Sequence, residues 1–299
     1  PLRGCGAHTN LNFGCRGHPF TQLYIQVLMQ KLITYLLLLF VLASCEEQSD
    51  WDLQPAKGDF IVVDGIITNE LKTQSIILSK PVAELNATPA FISGATILVS
   101  SNQVNYTFHE DAAQPGRYVS DKAFAGIRNK TYSLVINYGT KVYTSKAILE
   151  PPAEFVFLKY RKTDNKNYAI TAVSNPYNPQ RPAMYEILLD WSAAPGFEQQ
   201  DPDSCKAKLY YYTLPTIDVS QVLAPTLEKV TFPKGTTITE RRYSLTDEHA
   251  AYFRALLLET TWSGGFFNTS AANVPTNLST GALGFFGACG VTEKTEMVK

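Results

Sequence analysis

An acidic loop contains the first residues that could do chemistry. Glu198, Asp201 and Asp203 lie close together, with Gln199 and Gln200 between them. Carboxylate and amide oxygens are the ligands that Ca²⁺ prefers, so these three acids are candidate calcium ligands. The segment lacks the glycine and the distal bidentate glutamate of an EF-hand, and a solvated acidic loop is the stronger interpretation.

Aromatic residues give a second candidate site. Tyr210, Tyr211 and Tyr212 are consecutive, and alternation along a strand would place Tyr211 on one face and its two neighbours on the other. With Trp191 and Trp262, exposed rings could form a platform that stacks on sugars or on a protein partner. Aromatic strand residues also commonly fill a sandwich core or rim, and that alternative stays open.

Cysteine and histidine offer little catalytic potential. Cys205 and Cys289 could form a disulfide bridge or remain two independent thiols, and the sequence favours neither. The chain contains no HExxH, CxxC, Gly-x-Ser-x-Gly, P-loop or dinucleotide motif. We therefore expect no catalytic residues, no metal centre and no cofactor, and we predict a protein that is not an enzyme.

The N-terminal region predicts a lipid anchor. The apolar run at 32–43 is 12 residues long and follows Lys31, whereas a spanning helix needs about 20 residues. Its end, Leu42-Ala43-Ser44-Cys45, resembles the lipobox of bacterial lipoproteins, and this resemblance implies that Cys45 is lipidated. Acyl chains would hold such a protein on a membrane.

The same resemblance divides the first 58 residues. We interpret 29–44 as the lipoprotein signal peptide and 45–58 as an acidic tether. Residues 1–28 show no periodicity, and we interpret them as an upstream translation artefact. In the bacterial group rich in such lipoproteins, acidic residues behind the lipidated cysteine resemble a surface-export signal; a plain solvated linker is the alternative.

Charge excludes nucleic acid as a partner. The chain carries 26 basic and 27 acidic side chains, and three of the basic ones precede position 45. The remainder is mildly acidic, so it lacks the basic excess that displaces counterions from phosphates.

Short apolar runs between turn residues place these candidates on β-strands. About seven such runs lie in 59–150, the pattern of a β-sandwich, and Pro151-Pro152 closes that unit. Further strand patterns follow in 153–299, which we predict to be a second β-rich domain. It also holds one helix near 246–261, with Thr246 as N-cap.

Several segments in this order resemble the domain-of-unknown-function family 4249. They are Val62–Thr68, Ser75–Ser79, Ser93–Val99, Gly116–Tyr118, Asn129–Leu134, Thr276–Asn277, Gly281 and Leu283–Gly287. The resemblance implies an outer-membrane lipoprotein, often encoded near TonB-dependent receptors, and it brings no catalytic residues. The first half alone is similar to Ig-like, transthyretin-like and carboxypeptidase-regulatory-like sandwiches.

Three functional hypotheses result. The first is a lipid-anchored protein at the cell surface that binds a small molecule, glycan or peptide and assists a TonB-dependent transporter of the outer membrane. The second is a surface hydrolase acting on glycan or peptide, which would need converging carboxylates or a nucleophile in a cleft. The third is a structural or adhesive envelope protein.

Overall fold

The computed structural model describes residues 28–35, 58–82, 87–164, 166–223, 229–263 and 274–299. The chain divides into two compact units, residues 1–55 and 56–299. In the first unit the described residues, 28–35, form helix α1. Cys45, the lipobox and most of the predicted tether lie outside the described residues. None of the described helices is both long enough and apolar enough to cross a membrane.

The second unit is mainly β, which confirms the predicted fold class. Its strands are β1 (Ile61–Thr68), β2 (Ser75–Ser79), β3 (Thr96–Ser101), β4 (Val104–Glu110), β5 (Arg117–Ser120), β6 (Thr131–Tyr138), β7 (Lys141–Ile148), β8 (Lys159–Lys162), β9 (Asn167–Ala172), β10 (Ala183–Asp190), β11 (Lys206–Thr213), β12 (Thr231–Pro233), β13 (Thr237–Ser244), β14 (Ala282–Cys289) and β15 (Val291–Met297). Helix α2 covers Val219–Val222 and helix α3 covers Asp247–Glu259.

An eight-stranded sheet surrounds the first core. Its strand order is β14-β1-β2-β5-β4-β3-β6-β7. Apolar residues alternate along these strands, as in β6, where Tyr132, Leu134 and Ile136 are buried between more exposed neighbours. Those inward side chains pack with Ile61, Val63 and Phe286 from β1 and β14.

The two edge strands of this sheet are joined by the segment before β14. Asn277 Nδ2 donates to the carbonyl of Phe286 at 2.7 Å and to that of Lys146 at 3.2 Å. On the β7 side, Ser145 Oγ donates to the Asn277 carbonyl at 2.9 Å. Residue 277 therefore covers backbone groups that would otherwise be left open at both edges.

Strand β14 comes from the C-terminal segment but lies beside β1, in parallel register from Ile61 opposite Ala282 to Thr68 opposite Cys289. Gly284 makes this close approach feasible. Its φ is +87°, and a Cβ atom there would lie 2.2 Å from the Val63 carbonyl oxygen. The segment predicted as a second domain thus contributes one strand to the first sheet.

Two smaller sheets complete the unit. The second sheet has the order β11-β10-β13-β15, and the third has the order β12-β9-β8. One face of the second sheet packs with α3 in a cluster that contains Met184, Tyr243 and Leu257. The opposite face packs against the third sheet through Tyr185, Ile187 and Phe232.

Helix α3 agrees with the predicted helix. The Thr246 side chain accepts a hydrogen bond from His249 N at 3.2 Å, as an N-cap should. Asp247 and Glu248 occupy the first turn, where the helix dipole favours acidic side chains. The buried face of α3 covers the second sheet through Ala250, Leu257 and Leu258.

Candidate functional site

A cleft of about 310 Å³ lies between the outer face of β1 and β2 and the α3-facing side of the second sheet. We call it the tyrosine cleft. It is lined by Asp64, Gly65, Ile66, Thr68, Lys72, Ser75, Ile77, Met184, Glu186, Tyr210, Tyr212, Tyr243 and Phe253. The lining combines aromatic faces with carboxylate, ammonium and hydroxyl groups, which is typical of a binding site for a polar ligand.

The three consecutive tyrosines alternate as the sequence predicts. Tyr210 and Tyr212 line the cleft, opposite Glu186 and Met184 of β10. Tyr211 pairs with Tyr185, on the other face of the sheet. Tyr210 is 46% exposed and Tyr211 is 37% exposed, so neighbouring rings of similar exposure face different surfaces.

Arg241 of β13 organises the carboxylates beside the cleft. Its Nη1 donates to Glu186 Oε1 at 3.1 Å, and its Nη2 donates to Glu70 Oε1. Its Nε lies 3.4 Å from Glu293 Oε2, and the guanidinium lies over the Tyr243 ring with 5.3 Å to the centroid. One cation thus holds together carboxylates from three distant parts of the chain.

Two lysines extend this network to the cleft surface. Lys72 Nζ lies 2.7 Å from Glu70 Oε2, and Lys208 Nζ lies 3.3 Å from Glu186 Oε2. The Tyr210 hydroxyl also donates to Glu186 Oε2 at 3.3 Å. The network fixes the orientation of Tyr210 and neutralises the charge of Glu186.

Asp64 differs from the other acids of the cleft. Its side chain has no hydrogen bond and no ion pair with any other described residue. Partial desolvation in the cleft raises the pKa of its carboxyl. Burial also raises the pKa of Tyr212 to about 12, so the hydroxyl stays protonated and can donate to a ligand.

This geometry favours binding over hydrolysis. Glycoside hydrolysis needs a proton donor and a second, free carboxylate. Within the cleft lining, the Glu186 carboxylate is held by Arg241 and Lys208, which leaves Asp64 as the acid without a partner. The described lining therefore provides hydrogen-bonding groups and ring faces, not a pair of free carboxylates.

The two tryptophans do not join the tyrosines in one exposed platform. Trp191 packs partly buried against the cluster between the second and third sheets. Trp262 is 7% exposed and packs in the cluster beneath α3. Its backbone N–H donates to the Leu257 carbonyl. Both rings are therefore used in packing on opposite sides of the second sheet.

The acidic loop satisfies its carboxylates locally. Asp201 caps the 3₁₀ helix Pro202–Cys205 by accepting from Asp203 N at 3.1 Å. Glu198 accepts from Gly196 N, and Asp203 pairs with Lys206. Among the described residues no group of three or more His, Cys, Asp or Glu side chains is arranged to hold a metal ion.

Cys205 and Cys289 are both buried free thiols, so the bridge that the sequence permits does not form. Cys205 Sγ lies 3.7 Å from Gln200 Oε1, beside the acidic loop. Cys289 Sγ lies 3.7 Å from His249 Nδ1, under α3. Each thiol thus has its own surroundings in a different part of the unit.

Cys289 and His249 do not form a reactive pair. Burial raises the pKa of the Cys289 thiol far above its usual range and lowers the pKa of His249 to about 3. Both groups are therefore neutral at pH 7, whereas a nucleophilic cysteine needs its thiolate. The His249 ring is stacked between Phe253 and Phe285, which is a packing role.

Sequence reasoning missed the acids and cations of the cleft. Arg241 lies in the polar run Thr239-Glu240-Arg241-Arg242 and does not stand out from its neighbours. Asp64 and Glu186 each stand inside an apolar strand pattern, where a charged residue is unusual. That interruption is the signal that could have identified them. Their partners could not be inferred, because Glu70 and Glu186 belong to distant segments.

The fold and the cleft define a multi-sheet β protein with a ligand-sized groove between two of its sheets. The chain matches the family model described as "Domain of unknown function (DUF4249)" over residues 46–295, and it belongs to this family. No curated protein matches the chain. The family description includes no enzymatic activity.

Proposed function

We propose that this protein is a lipid-anchored, non-enzymatic binding protein of the outer membrane that captures a glycan or peptide at the cell surface for a TonB-dependent transporter. The observation that carries the binding role is the tyrosine cleft. It presents the rings of Tyr210 and Tyr212 beside the Asp64 carboxylate, which has no partner among the described residues. Sugars and peptides both have apolar faces that stack on such rings and polar groups that pair with such acids.

The proposed lipid anchor and the proposed link to a transporter are supported by the sequence. The lipobox-like Leu42-Ala43-Ser44-Cys45 supports lipidation at Cys45. Mass spectrometry of the membrane-bound protein should find the acyl groups on Cys45, and Cys45→Ser should release the protein from membranes. Protease treatment of intact cells should remove the protein if it lies at the surface.

Neighbouring tyrosines allow a matched test of the cleft. Linear oligosaccharides and tripeptides are titrated against the wild type while tyrosine fluorescence is followed. Tyr210→Ser should weaken binding by up to about tenfold, because a stacked ring contributes on the order of 0.5–1.5 kcal/mol. Tyr211→Ser removes a similarly exposed ring on the other face and should bind as the wild type does.

Co-purification tests the transporter. A tagged protein, solubilised in detergent, should bring down a TonB-dependent receptor. If it binds an oligosaccharide or peptide but no barrel protein is recovered, the transporter role is wrong and the binding role stands.

If Tyr211→Ser weakens binding as much as Tyr210→Ser does, the cleft is not the site.

A further inference from the structure

A second cavity, on the opposite face of the second sheet, is rich in hydrogen-bond donors. Its volume is about 280 Å³. Its lining includes Arg181, Arg242, Asn175 and Asn178, together with Glu154. We call it the Arg242 cavity, and it is separate from the tyrosine cleft.

Arg242 is a buried cation without a counterion among the described residues. It is 4% exposed, and no carboxylate of the described chain lies within ion-pairing distance of its guanidinium. Its Nη1 donates to Ser244 Oγ at 2.7 Å, and its Nη2 donates to the Arg181 carbonyl at 3.5 Å. A guanidinium has five N–H donors, so about three of them have no acceptor in the described chain. Buried charges are normally paired, because desolvation of an unpaired charge is costly.

Two asparagines add donors to the same cavity. Asn175 Oδ1 accepts from Tyr177 N at 3.1 Å, and Asn178 Oδ1 accepts from Gln180 N at 3.0 Å. These bonds fix both amide oxygens toward the backbone. Both amide NH₂ groups are left without an acceptor among the described residues.

The acid in the lining does not compensate Arg242. The side chain of Glu154 is 86% exposed, and its Oε2 lies 3.7 Å from Lys294 Nζ. Glu240 lies two residues before Arg242 on the same face; its Oε2 accepts from Leu158 N, its Oε1 has no hydrogen-bond partner among the described residues, and it is not part of the cavity lining. The described lining therefore offers several donors around one buried positive charge, and it contains no carboxylate paired with that charge.

We propose that the Arg242 cavity binds a carboxylate, either of a small organic acid or of a peptide C-terminus, with the Arg242 guanidinium as its main contact and the Asn175 and Asn178 amides as further donors. The planar guanidinium fork matches the two oxygens of a carboxylate. A single buried cation suits a monoanion better than a doubly charged phosphate. This site does not depend on the tyrosine cleft or on its proposed role.

Thermal unfolding of the 299-residue chain provides the test. Acetate, succinate and glycylglycine are compared with glycylglycinamide, inorganic phosphate and chloride at equal ionic strength. Acetate or succinate should raise the Tm in a saturable way if free acids bind, and glycylglycine but not its amide should do so if peptide termini bind. A response to phosphate alone, or no saturable response to any carboxylate, would overturn the proposal.

Variants locate the response. Arg242→Gln should raise the half-saturating carboxylate concentration at least about tenfold, because it removes a charge-assisted bidentate contact. Asn175→Asp keeps the oxygen that accepts from Tyr177 N but replaces the amide NH₂ by a repelling oxygen, so it should also weaken the response even if Arg242→Gln does not fold. Arg254→Gln, in an ion pair with Asp218 outside the cavity, should leave the response unchanged. An unchanged response in Asn175→Asp would contradict the proposed site.

Discussion

Arg241 and Arg242 are consecutive residues of β13 on opposite faces of one sheet, yet their surroundings differ. Arg241 contacts Glu70, Glu186 and Glu293. Arg242, more deeply buried, has hydroxyl and carbonyl partners within the described chain but no carboxylate. On the cleft face Arg241 is ion-paired and connects distant segments of the fold, whereas on the other face Arg242 has no carboxylate partner among the described residues. The presence or absence of ion-pair partners, and not burial alone, distinguishes an arginine that stabilises the fold from one that can bind a ligand.

Removing Arg241 should produce the largest effect. Arg241→Met leaves two poorly solvated carboxylates with fewer cations, and the free energy of unfolding should fall by about 4 kcal/mol. Urea denaturation at pH 7 measures this loss. Arg254→Met breaks a more exposed pair and should cost about 1 kcal/mol or less. An equal loss of unfolding free energy in the two variants would contradict the prediction that the ion pairs of Arg241 stabilise the fold more than an exposed pair does.

Glu240 should make the Arg242 face sensitive to pH. The side chain is fully buried, its Oε1 has no hydrogen-bond partner in the part of the chain that the structure describes, and burial raises the pKa of its carboxyl to about 7. Lys294 and Glu296 are the charged groups that act on it. The folded state therefore binds a proton more tightly than the unfolded state, and stability should fall by about 3 kcal/mol as pH rises from about 4.5 to above 7.

Glu240→Gln removes this titration and still accepts from Leu158 N. The free energy of unfolding of this variant should not show the fall between about pH 4.5 and pH 7 that Glu240 causes in the wild type. The variant should therefore be more stable than the wild type, and the difference should be largest at pH 8. Denaturation curves between pH 4 and 8 check the slope. Parallel slopes for the two proteins would show that Glu240 does not take up the proton.

The contribution of the α3 N-cap to stability can be measured, and α3 is the helix that packs on the cleft side of the second sheet. Thr246→Ala removes the acceptor of the His249 N–H, and the free energy of unfolding should fall by about 1 kcal/mol. Thr260→Ala is the control at the other end of α3, where the hydroxyl bonds back to the Leu256 carbonyl at an exposed position. The control should change stability less than the cap variant does.

The smallest change is expected at Arg242. Arg242→Met removes from a buried site a charge that has no carboxylate partner among the described residues, so the relief of desolvation should offset the two lost hydrogen bonds. Without added anion, the free energy of unfolding should stay within about 1 kcal/mol of the wild-type value. A loss as large as that of Arg241→Met would mean that the two faces do not differ in this way.

Local patterns in the sequence predicted much of the fold. The alternation that predicts β6 is the alternation that buries Leu134 and Ile136, and Thr246 caps α3 as expected. Local patterns could not predict that β14 lies beside β1, because parallel pairing between residues more than 200 positions apart leaves no local signal. A cluster of charges from distant segments is hidden for the same reason.

The candidate sites were predictable in part. Period-two alternation placed Tyr210 and Tyr212 together and apart from Tyr211. It could not show that Trp191 and Trp262 are taken up by packing, since a ring serves equally well in a core or on a rim. Nor could it show that Arg242 is unpaired, because that depends on every segment that packs around it.

The pairing of β14 with β1 sets an order of events in folding. The first sheet has its first strand near residue 61 and a neighbouring edge strand that ends at Cys289. During synthesis β1 therefore spends nearly the whole length of the unit with one backbone edge unpaired. Contacts of such long sequence separation slow folding and leave an edge open to other chains. Loss of the last 18 residues would make that exposure permanent, so a shortened chain should aggregate while the full chain remains soluble.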